Sequence, residues 1–419
     1  MVRYILSCVP ADARARAALV CRAWRDTIAD EKLWTVLDLS PASGVAQPVT
    51  DAMLRGAAAL ARGRLKMLCL DDCYRLSHEA RLEVVTANAG SLRELSCCPA
   101  IDEELEQEHV EELTAAAPQL VSFKVSVDAT FSAATRMLRQ EAPFGALQLH
   151  GLWVDDDVEP YVEALMLPFC SAVSSHASLR RLELVNAPLG AAVMDALSMA
   201  VLTCRLRDLR LYSCNFAPAS AVPALARVIR GGVLSSLTLC DVDPLFDEAT
   251  AMQLAHALAE SRTLTRLSLS PMRQLWHNAA AAAAIMRALT GHPCLQHVDL
   301  SSNNPPDQLA AGAALGALVA ANAPALTSLS VSWSALGDVG MGGRCDALPR
   351  NTHLRELDLS NTGISAAFAR DMLLPSVRAN TSLRELHACR NWDGFHGGQA
   401  PPEMFEAEAL VTARNNGDC

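Results

Sequence analysis

Two short stretches of the sequence carry side chains that could ligate a metal ion or form a reactive site. Residues 292–297 read His-Pro-Cys-Leu-Gln-His, and residues 155–157 are three consecutive aspartates. Imidazole and thiolate groups suit a transition metal or a thiol site, whereas carboxylates suit a hard cation. The apolar residues in and after the first stretch place it at the start of a strand, with His292 in a turn and His297 on a sheet face. The aspartates precede an apolar run at 161–165, and we interpret them as the cap of a helix.

Motifs for catalysis or cofactor binding are missing from the sequence. It has no serine nucleophile elbow, no glycine-rich phosphate loop and no His-Glu-x-x-His zinc motif. The 14 cysteines stand singly except for the pair Cys97-Cys98, and no double Cys-x-x-Cys spacing is present. We therefore predict a protein that is not an enzyme, that uses no cofactor or metal, and that keeps its thiols reduced inside the cell.

An apolar triad with a fixed spacing organises most of the chain. In the stretch 354–361, Leu354, Leu357 and Leu359 occupy relative positions 1, 4 and 6. Complete or partial triads of this kind start at residues 34, 65, 92, 120, 144, 179, 206, 234, 264, 295, 326, 354 and 383. From residue 179 onward the steps are 27, 28, 30, 31, 31, 28 and 29 residues, a near-constant period that indicates a repeat array.

Alternation along each repeat predicts how it folds. Leu357 and Leu359 stand two residues apart, so on a strand both point to one face while the polar residues beside them point to the other. A helix follows each strand, for example over 247–258, and neighbouring repeats must stack to cover their apolar sides. Strands stack at ~4.8 Å and helices at ~10 Å, so the stack bends with its sheet inside. With Asn303 or Cys214 at position 9, the repeat predicts an α/β leucine-rich-repeat solenoid, similar to the ribonuclease-inhibitor horseshoe with its parallel sheet inside and helices outside.

Composition and charge narrow the choice of partner. The chain of 419 residues is 51% hydrophobic but only 5% aromatic, which suits a repeat core of leucine, alanine and valine. Its formal net charge of -11 argues against nucleic acid or an anionic membrane surface as the main partner. The uncharged stretch 308–337 resembles a membrane helix in length, but Asn322 and Pro324 interrupt it. We predict the helix and strand of one repeat there, and no membrane partner.

The first 40 residues follow a different pattern. Residues 19–28 place leucine or valine, Trp24 and Ile28 about four apart, which predicts one apolar face of a short helix. The segment resembles an F-box at Ile5-Leu6-Ser7, Val9-Pro10, Asp12, Val20-Cys21-Arg22, Trp24-Arg25, Leu33-Trp34 and Leu37-Asp38-Leu39-Ser40. The resemblance implies an N-terminally incomplete or degenerate box, because the family's opening Leu-Pro would lie before Met1, and Ala13 stands where the family usually has leucine. Alternatively, residues 4–33 only cap the open end of the solenoid.

The F-box resemblance implies a function. It implies the substrate-recognition subunit of an SCF-type cullin ubiquitin ligase, which binds a Skp-type adaptor through the box and a client protein through the repeats. The adaptor-binding residues that it implies are Ile5, Leu6, Val9, Pro10, Leu19, Val20, Cys21, Trp24, Leu33 and Trp34. The rival interpretation is a non-catalytic scaffold, sensor or inhibitor whose box is vestigial. A more distant rival is a regulator of a small GTPase, since some of these share the repeat type.

We expect three regions along the chain. Residues 1–40 form the F-box-like helical segment and run into the first repeat strand, residues 41–391 form the repeats, and residues 392–419 form a C-terminal cap with a helical pattern over 402–414. The protein is expected in the cytoplasm, the nucleus or both, as a monomer within its complex, with no nucleic acid and no membrane as partner.

Positions 2, 3, 5 and 7 of each repeat are expected to line the client-binding face of the sheet. The side chains singled out there are Arg181, Arg207, Arg210, Tyr212, Trp333, Asp299 and Asp358. Arginine and aromatic side chains often dominate binding energy, so we predict that an acidic or phosphorylated client segment lies against Arg181, Arg210 and Tyr212. The alternative is that neighbouring charges on adjacent strands simply neutralise one another, each pair contributing little.

Overall fold

Parallel strands alternate with helices along the chain. The computed structural model describes residues 34–43, 48–98, 106–126, 130–139, 145–150, 159–216, 218–242, 248–388, 391 and 401–416. Two compact units divide the chain, Met1–Ala187 and Pro188–Cys419. The prediction of an α/β leucine-rich-repeat fold is confirmed.

In the first unit, the described strands pair in parallel and in chain order. The triad residues at relative position 4 pair with one another in register. The strands are β1 (Val36–Asp38), β2 (Met67–Cys69), β3 (Glu94–Cys97), β4 (Ser122–Ser126), β5 (Ala146–His150) and β6 (Arg181–Val185). The helices are α1 (Asp51–Leu60), α2 (His78–Ala87), α3 (Gln107–Ala116), α4 (Thr130–Arg139) and α5 (Glu159–Ser175). A 3-10 turn, Pro41–Ser43, follows strand β1.

In the second unit, the main sheet runs β8-β10-β11-β12-β13-β14-β15, and β7 pairs separately with β9. The strands are β7 (Pro188–Leu189), β8 (Asp208–Tyr212), β9 (Asn215–Phe216), β10 (Ser236–Cys240), β11 (Arg266–Leu269), β12 (His297–Asp299), β13 (Ser328–Ser330), β14 (Glu356–Asp358) and β15 (Glu385–His387). The helices are α6 (Ala191–Cys204), α7 (Pro218–Arg230), α8 (Glu248–Glu260), α9 (Arg273–His277), α10 (Ala279–Leu289), α11 (Gln308–Ala320), α12 (Gly337–Ala347), α13 (Ala366–Phe368), α14 (Leu374–Ala379) and α15 (Pro402–Asn416). A π turn, Ala369–Leu373, links α13 to α14.

Burial follows the apolar triad. Leu354, Leu357 and Leu359 are all buried, whereas Glu356 and Asp358 on the same strand are only partly covered. Because side chains alternate across a strand, one face supplies the core and the other faces solvent. Each buried leucine contributes about 1.5–3 kcal/mol, so the repeated triad is the main source of stability.

A buried polar residue three positions before the triad fixes the turn that leads into several of the strands. Asn351 and Asn380 accept hydrogen bonds from the backbone N–H of the first triad leucine at 2.8 Å, and each donates to a carbonyl near the end of an earlier helix. His292 performs the same task, since its Nδ1 accepts from Leu295 at 3.1 Å and its Nε2 lies 3.0 Å from the Leu258 carbonyl oxygen. Burial lowers the pKa of His292. The histidine that suggested a metal or thiol site therefore has a structural role in its turn.

A left-handed residue at relative position 8 turns the chain out of most strands. The backbone φ angle there lies between 49° and 58° at Asp72, Asn186, Ser213, Asp241, Ser302, Trp333 and Asn361. Short polar side chains tolerate this conformation because they can hydrogen-bond locally. Trp333 is the bulky exception in this series.

Position 9 supplies a second set of buried polar groups. The Asn303 side chain accepts from the Met272 N–H at 2.6 Å and donates to the carbonyls of Leu269 and Leu300 at 2.8 and 2.9 Å. Asn391, at position 9 of the repeat that starts at Leu383, makes the equivalent bonds. It accepts from the Thr362 N–H and donates to the carbonyls of Leu359 and Ala388. These amides satisfy backbone groups that the strands leave unpaired, which explains why asparagine at position 9 is typical of this repeat.

Helices α11 and α12 approach each other closely through glycine. A Cβ atom placed on Gly316 would lie 2.9 Å from the Gly343 carbonyl group, so no larger residue fits without moving a helix. The uncharged stretch 308–337 contains helix α11 and strand β13, as predicted. Across the described residues, no helix combines the length and the apolar character needed to span a bilayer.

Some element boundaries differ from the sequence predictions. Residues 101–105, ahead of helix α3 (Gln107–Ala116), lie outside the described residues. The helix expected at 247–258 is α8, which ends two residues later, and the terminal helix α15 runs to Asn416. The aspartates at 155–157 also lie outside the described residues, so their capping role stays a prediction.

Candidate protein-binding surface on the second unit

Two rows of side chains cover the solvent face of the main sheet in the second unit. The row at position 5 runs Arg210, Thr238, Ser268, Asp299, Ser330, Asp358 and His387 across paired strands. The row at position 3 runs Asp208, Ser236, Arg266, His297, Ser328, Glu356 and Glu385. A shallow depression lies over these rows from Arg210 and Tyr212 at one end to Glu356 at the other. We call it the sheet depression.

Hydroxyl groups hold the carboxylates in the middle of the sheet depression. Asp299 accepts hydrogen bonds from the Ser268 hydroxyl at 2.9 Å, from the Ser301 N–H at 3.0 Å and from the Ser301 hydroxyl. Ser301 also lies 2.8 Å from the Ser330 hydroxyl, and Ser330 donates to Asp358 at 3.4 Å. The network therefore orders two carboxylates without neutralising their charge.

The basic end of the sheet depression carries an internal counterion. Arg210 donates from Nε and Nη2 to the two carboxylate oxygens of Asp208, at 3.2 and 3.1 Å. Asp208 stands two residues before Arg210 on the same strand, so the pair shares a face. Arg207 is exposed just before β8, and the exposed Arg181 begins β6 in the first unit. The expectation of an acidic client segment at Arg181, Arg210 and Tyr212 stays a prediction, and the Arg210 charge is compensated within its own strand.

A cation that sequence reasoning missed lies in the sheet depression. Arg266, at position 3 of its repeat, is exposed and forms no ion pair within the described parts of the chain. It pairs in register with His297, whose pKa is lowered mainly by burial and further by the Arg266 charge, while Glu356 acts in the opposite direction. The sequence could have identified Arg266, because position 3 of the repeat lies on the solvent face of the sheet.

The far end of the sheet depression is acidic. No lysine or arginine among the described residues pairs with Asp299, Glu356 or Asp358. Beside them, His387 Nε2 lies 2.9 Å from a Glu385 carboxylate oxygen. Ligand atoms of Glu356, Glu385 and His387 lie within 4.8 Å of one another, so these side chains could hold a divalent cation, although two of the three residues are exposed.

Trp333 follows strand β13, which pairs with the strand that carries Glu356 and Asp358. It is 58% exposed at a left-handed φ of 57°, and its N–H donates to the Ser360 carbonyl at 2.8 Å. The Ser360 N–H in turn donates to Asp358 at 2.9 Å, so Ser360 links the Trp333 backbone to the Asp358 carboxylate. A large exposed aromatic in a backbone conformation that suits Asn or Ser is more readily explained by binding than by folding.

Buried thiols group together in the first unit, although the sequence suggested mostly isolated cysteines. Cys69, Cys73 and Cys97 lie close enough for their charges to interact, and burial raises their pKa values to about 11, 12 and 12. At neutral pH these thiols are protonated, so they behave as small apolar core groups and not as nucleophiles.

Only one of the ten implied adaptor-binding residues lies within the described part of the chain. Trp34 is 1% exposed and precedes β1, where Leu37 and Leu39 are also buried. It therefore serves as the first residue of the first triad. Ile5, Leu6, Val9, Pro10, Leu19, Val20, Cys21, Trp24 and Leu33 lie outside the described residues, and their adaptor-binding role stays a prediction.

Two family models match the chain. The F-box-like model matches residues 2–40, and the Leucine Rich repeat model matches residues 350–367. A search of curated proteins returned no match.

Solved structures show only a partial likeness. A structure described as leiomodin-1 actin-binding site 2 aligns with 14% identity and a TM-score of 0.30, covering 38% of this chain and 86% of that one. The tropomodulin C-terminal domain of Caenorhabditis elegans aligns with 14% identity and a TM-score of 0.29, covering 38% and 90%. At these TM-scores the likeness carries no argument.

The two matched segments agree with the sequence pattern. The F-box-like match ends at residue 40, where the first repeat strand has just finished, and the repeat match begins at residue 350 and includes β14. The chain thus combines an F-box-like N-terminus with leucine-rich repeats, which is the make-up of an F-box/leucine-rich-repeat protein.

Proposed function

We propose that this protein is the substrate-recognition subunit of an SCF-type cullin ubiquitin ligase. The observation that supports this proposal best is the F-box-like match at residues 2–40, directly continuous with a leucine-rich-repeat array. Both modules are generally non-enzymatic interaction modules, so the chain acts as a protein-interaction adaptor. In this role the F-box-like segment binds the Skp-type adaptor, and the sheet of the repeats binds the client.

The F-box-like match and the first repeat share residues. Trp34 belongs to the F-box-like match and, at the same time, fills the first position of the first repeat triad. Strand β1 then pairs with β2 in register, Leu37 beside Leu68. Within the described residues, the end of the F-box-like match therefore forms part of the first repeat.

The solvent face of the sheet supports the client-binding role. It presents charged, hydroxyl and aromatic side chains on a backbone whose opposite face is packed with leucine. Because the buried triad holds the strands, the exposed positions can vary without loss of the fold. This arrangement suits selective protein binding.

Capture of the tagged full chain from cells, with quantification of the adaptor and the cullin, tests this proposal. The chain should retain both proteins, and the double substitution Trp24→Ala, Leu33→Ala should remove both. The matched control is Trp333→Ala, which truncates an exposed tryptophan far along the sequence and should leave adaptor capture unchanged. A folded chain that captures neither protein would reject the ligase role and favour a scaffold with a vestigial box.

A further inference from the structure

Positive and negative side chains lie on different strands of the sheet depression. Arg266 on β11 provides a cation that no described carboxylate pairs with, and Arg210 at the basic end is already compensated by Asp208. Across three strand steps in register, Glu356 on β14 provides an uncompensated carboxylate, with Asp358 on the same face of the same strand. The depression therefore carries a cation at Arg266 and carboxylates at Asp299 and Glu356.

The space between these charges is lined with hydrogen-bonding groups. Ser268, Ser328 and Ser330 line it, together with the partly buried His297 and with Asp299, whose carboxylate accepts hydrogen bonds from Ser268 and Ser301. Hydroxyl groups can donate to and accept from the backbone of an extended chain. The depression is thus suited to an extended polar segment, whereas an amphipathic helix would require an apolar groove.

We propose that the sheet depression binds an extended client segment that crosses the strands, with an acidic residue facing Arg266 and a basic residue about four positions away facing Glu356 and Asp358. Three strand steps of ~4.8 Å separate β11 from β14 by ~14 Å, and an extended chain advances ~3.4 Å per residue, which gives the spacing of about four. This inference rests on the proposed client-binding role of the sheet and adds the chemical class of the client segment.

Trp333 adds an aromatic contact at the basic end of the client segment. Its backbone is linked through Ser360 to the Asp358 carboxylate, and its side chain is largely exposed. In the proposed complex, the basic group pairs with Asp358 and stacks on the exposed Trp333 indole, a combination that favours arginine. We expect arginine to be preferred over lysine at the basic position.

Short peptides test the proposal directly. Four fluorescent nine-residue peptides, capped at both ends and built on a Ser/Ala background, carry Glu and Arg four apart, Glu and Arg two apart, two Glu four apart, or two Arg four apart. Each is titrated to millimolar concentration against the full chain at physiological salt, with EDTA present to remove any cation from Glu356, Glu385 and His387. The first peptide should bind about fivefold more tightly than each of the others, as two exposed charge pairs predict.

Charge reversal on the protein provides the second test. Arg266→Glu should move the preference to the two-Arg peptide, whereas the double change Glu356→Arg, Asp358→Arg should move it to the two-Glu peptide. The matched control Arg287→Glu changes the net charge equally on the exposed side of helix α10 and should leave the preference unaltered. Trp333→Ala should weaken the first peptide and remove the preference for arginine over lysine.

The outcomes separate this inference from the proposed ligase function. Equal binding of the four peptides, binding of none, or an unchanged preference after Arg266→Glu would overturn the proposed client chemistry. Adaptor binding is measured on the same purified chain. A chain that binds the adaptor but does not distinguish the peptides would reject only this inference, and the reverse result would reject only the ligase role.

Discussion

Replacing Arg344 with methionine should stabilise the protein. Arg344 on α12 is 2% exposed, and its Nε and Nη2 atoms have no hydrogen-bond partner among the described residues, while Nη1 lies 2.9 Å from the Met341 sulfur. Apolar side chains such as Val319, Leu348, Leu357 and Leu373 surround it. Burial lowers the pKa of the guanidinium from its ordinary value to about 10, so the group is still charged at neutral pH in a site that disfavours charge.

The magnitude follows from that lowered pKa. One pKa unit corresponds to 1.36 kcal/mol, so the buried charge destabilises the folded protein by about 3 kcal/mol below pH 10. The unfolded chain keeps this proton to a higher pH than the folded chain does, so stability rises as the pH increases above about 10. Methionine has a similar length and no charge, so Arg344→Met should raise the free energy of unfolding by roughly 2–3 kcal/mol.

Chemical denaturation at pH 7, followed by circular dichroism, measures the effect. The control is Arg350→Met, which removes an exposed arginine from the same repeat and should change the free energy of unfolding by less than about 0.5 kcal/mol. If Arg344→Met instead lowers stability by about 1 kcal/mol or more, the guanidinium has a favourable partner in the folded protein, and the reasoning from burial is wrong.

Three further substitutions test the repeat architecture. Leu357→Asp should unfold neighbouring repeats because it buries an unpaired charge, whereas Asp358→Asn on the solvent face should leave the circular dichroism signal intact, so equal loss in both would contradict the register. Asn303→Ala should lower the free energy of unfolding in denaturant by about 2–3 kcal/mol, because three buried hydrogen bonds are lost. A change near zero would show that the position-9 hydrogen bonds do not stabilise the fold. Gly316→Ala should lower stability by about 1–3 kcal/mol by forcing α11 from α12, while Gly342→Ala, where the added Cβ meets open space, should not destabilise the protein; equal effects would contradict the close packing.

The repeat fold could be predicted because its signal is periodic. Every triad leucine must enter the core, so the spacing of Leu354, Leu357 and Leu359 predicted both the strand and its buried face. The same periodicity identified His297 as a sheet-face residue and His292 as a turn residue. Periodicity did not predict which charged side chains form ion pairs, or how deeply residues outside the triad are buried.

The partner of each charged residue was harder to predict. Asp208 lies two residues from Arg210, so the ion pair could have been inferred from the alternation of a strand, and Arg266 could have been included at position 3. Arg344 is different, because an arginine in a glycine-rich helix gives no sign of its burial until the neighbouring helices are placed. The clustering of Cys69, Cys73 and Cys97 likewise depends on how successive repeats stack.

Binding of the purified full chain to a purified Skp-type adaptor tests the central claim most directly. In isothermal titration calorimetry we expect saturable binding with one adaptor per chain, lost in the Trp24→Ala, Leu33→Ala variant and retained in the Asp358→Arg variant. A chain with an intact circular dichroism signal that gives no heat of binding with the adaptor would contradict the account.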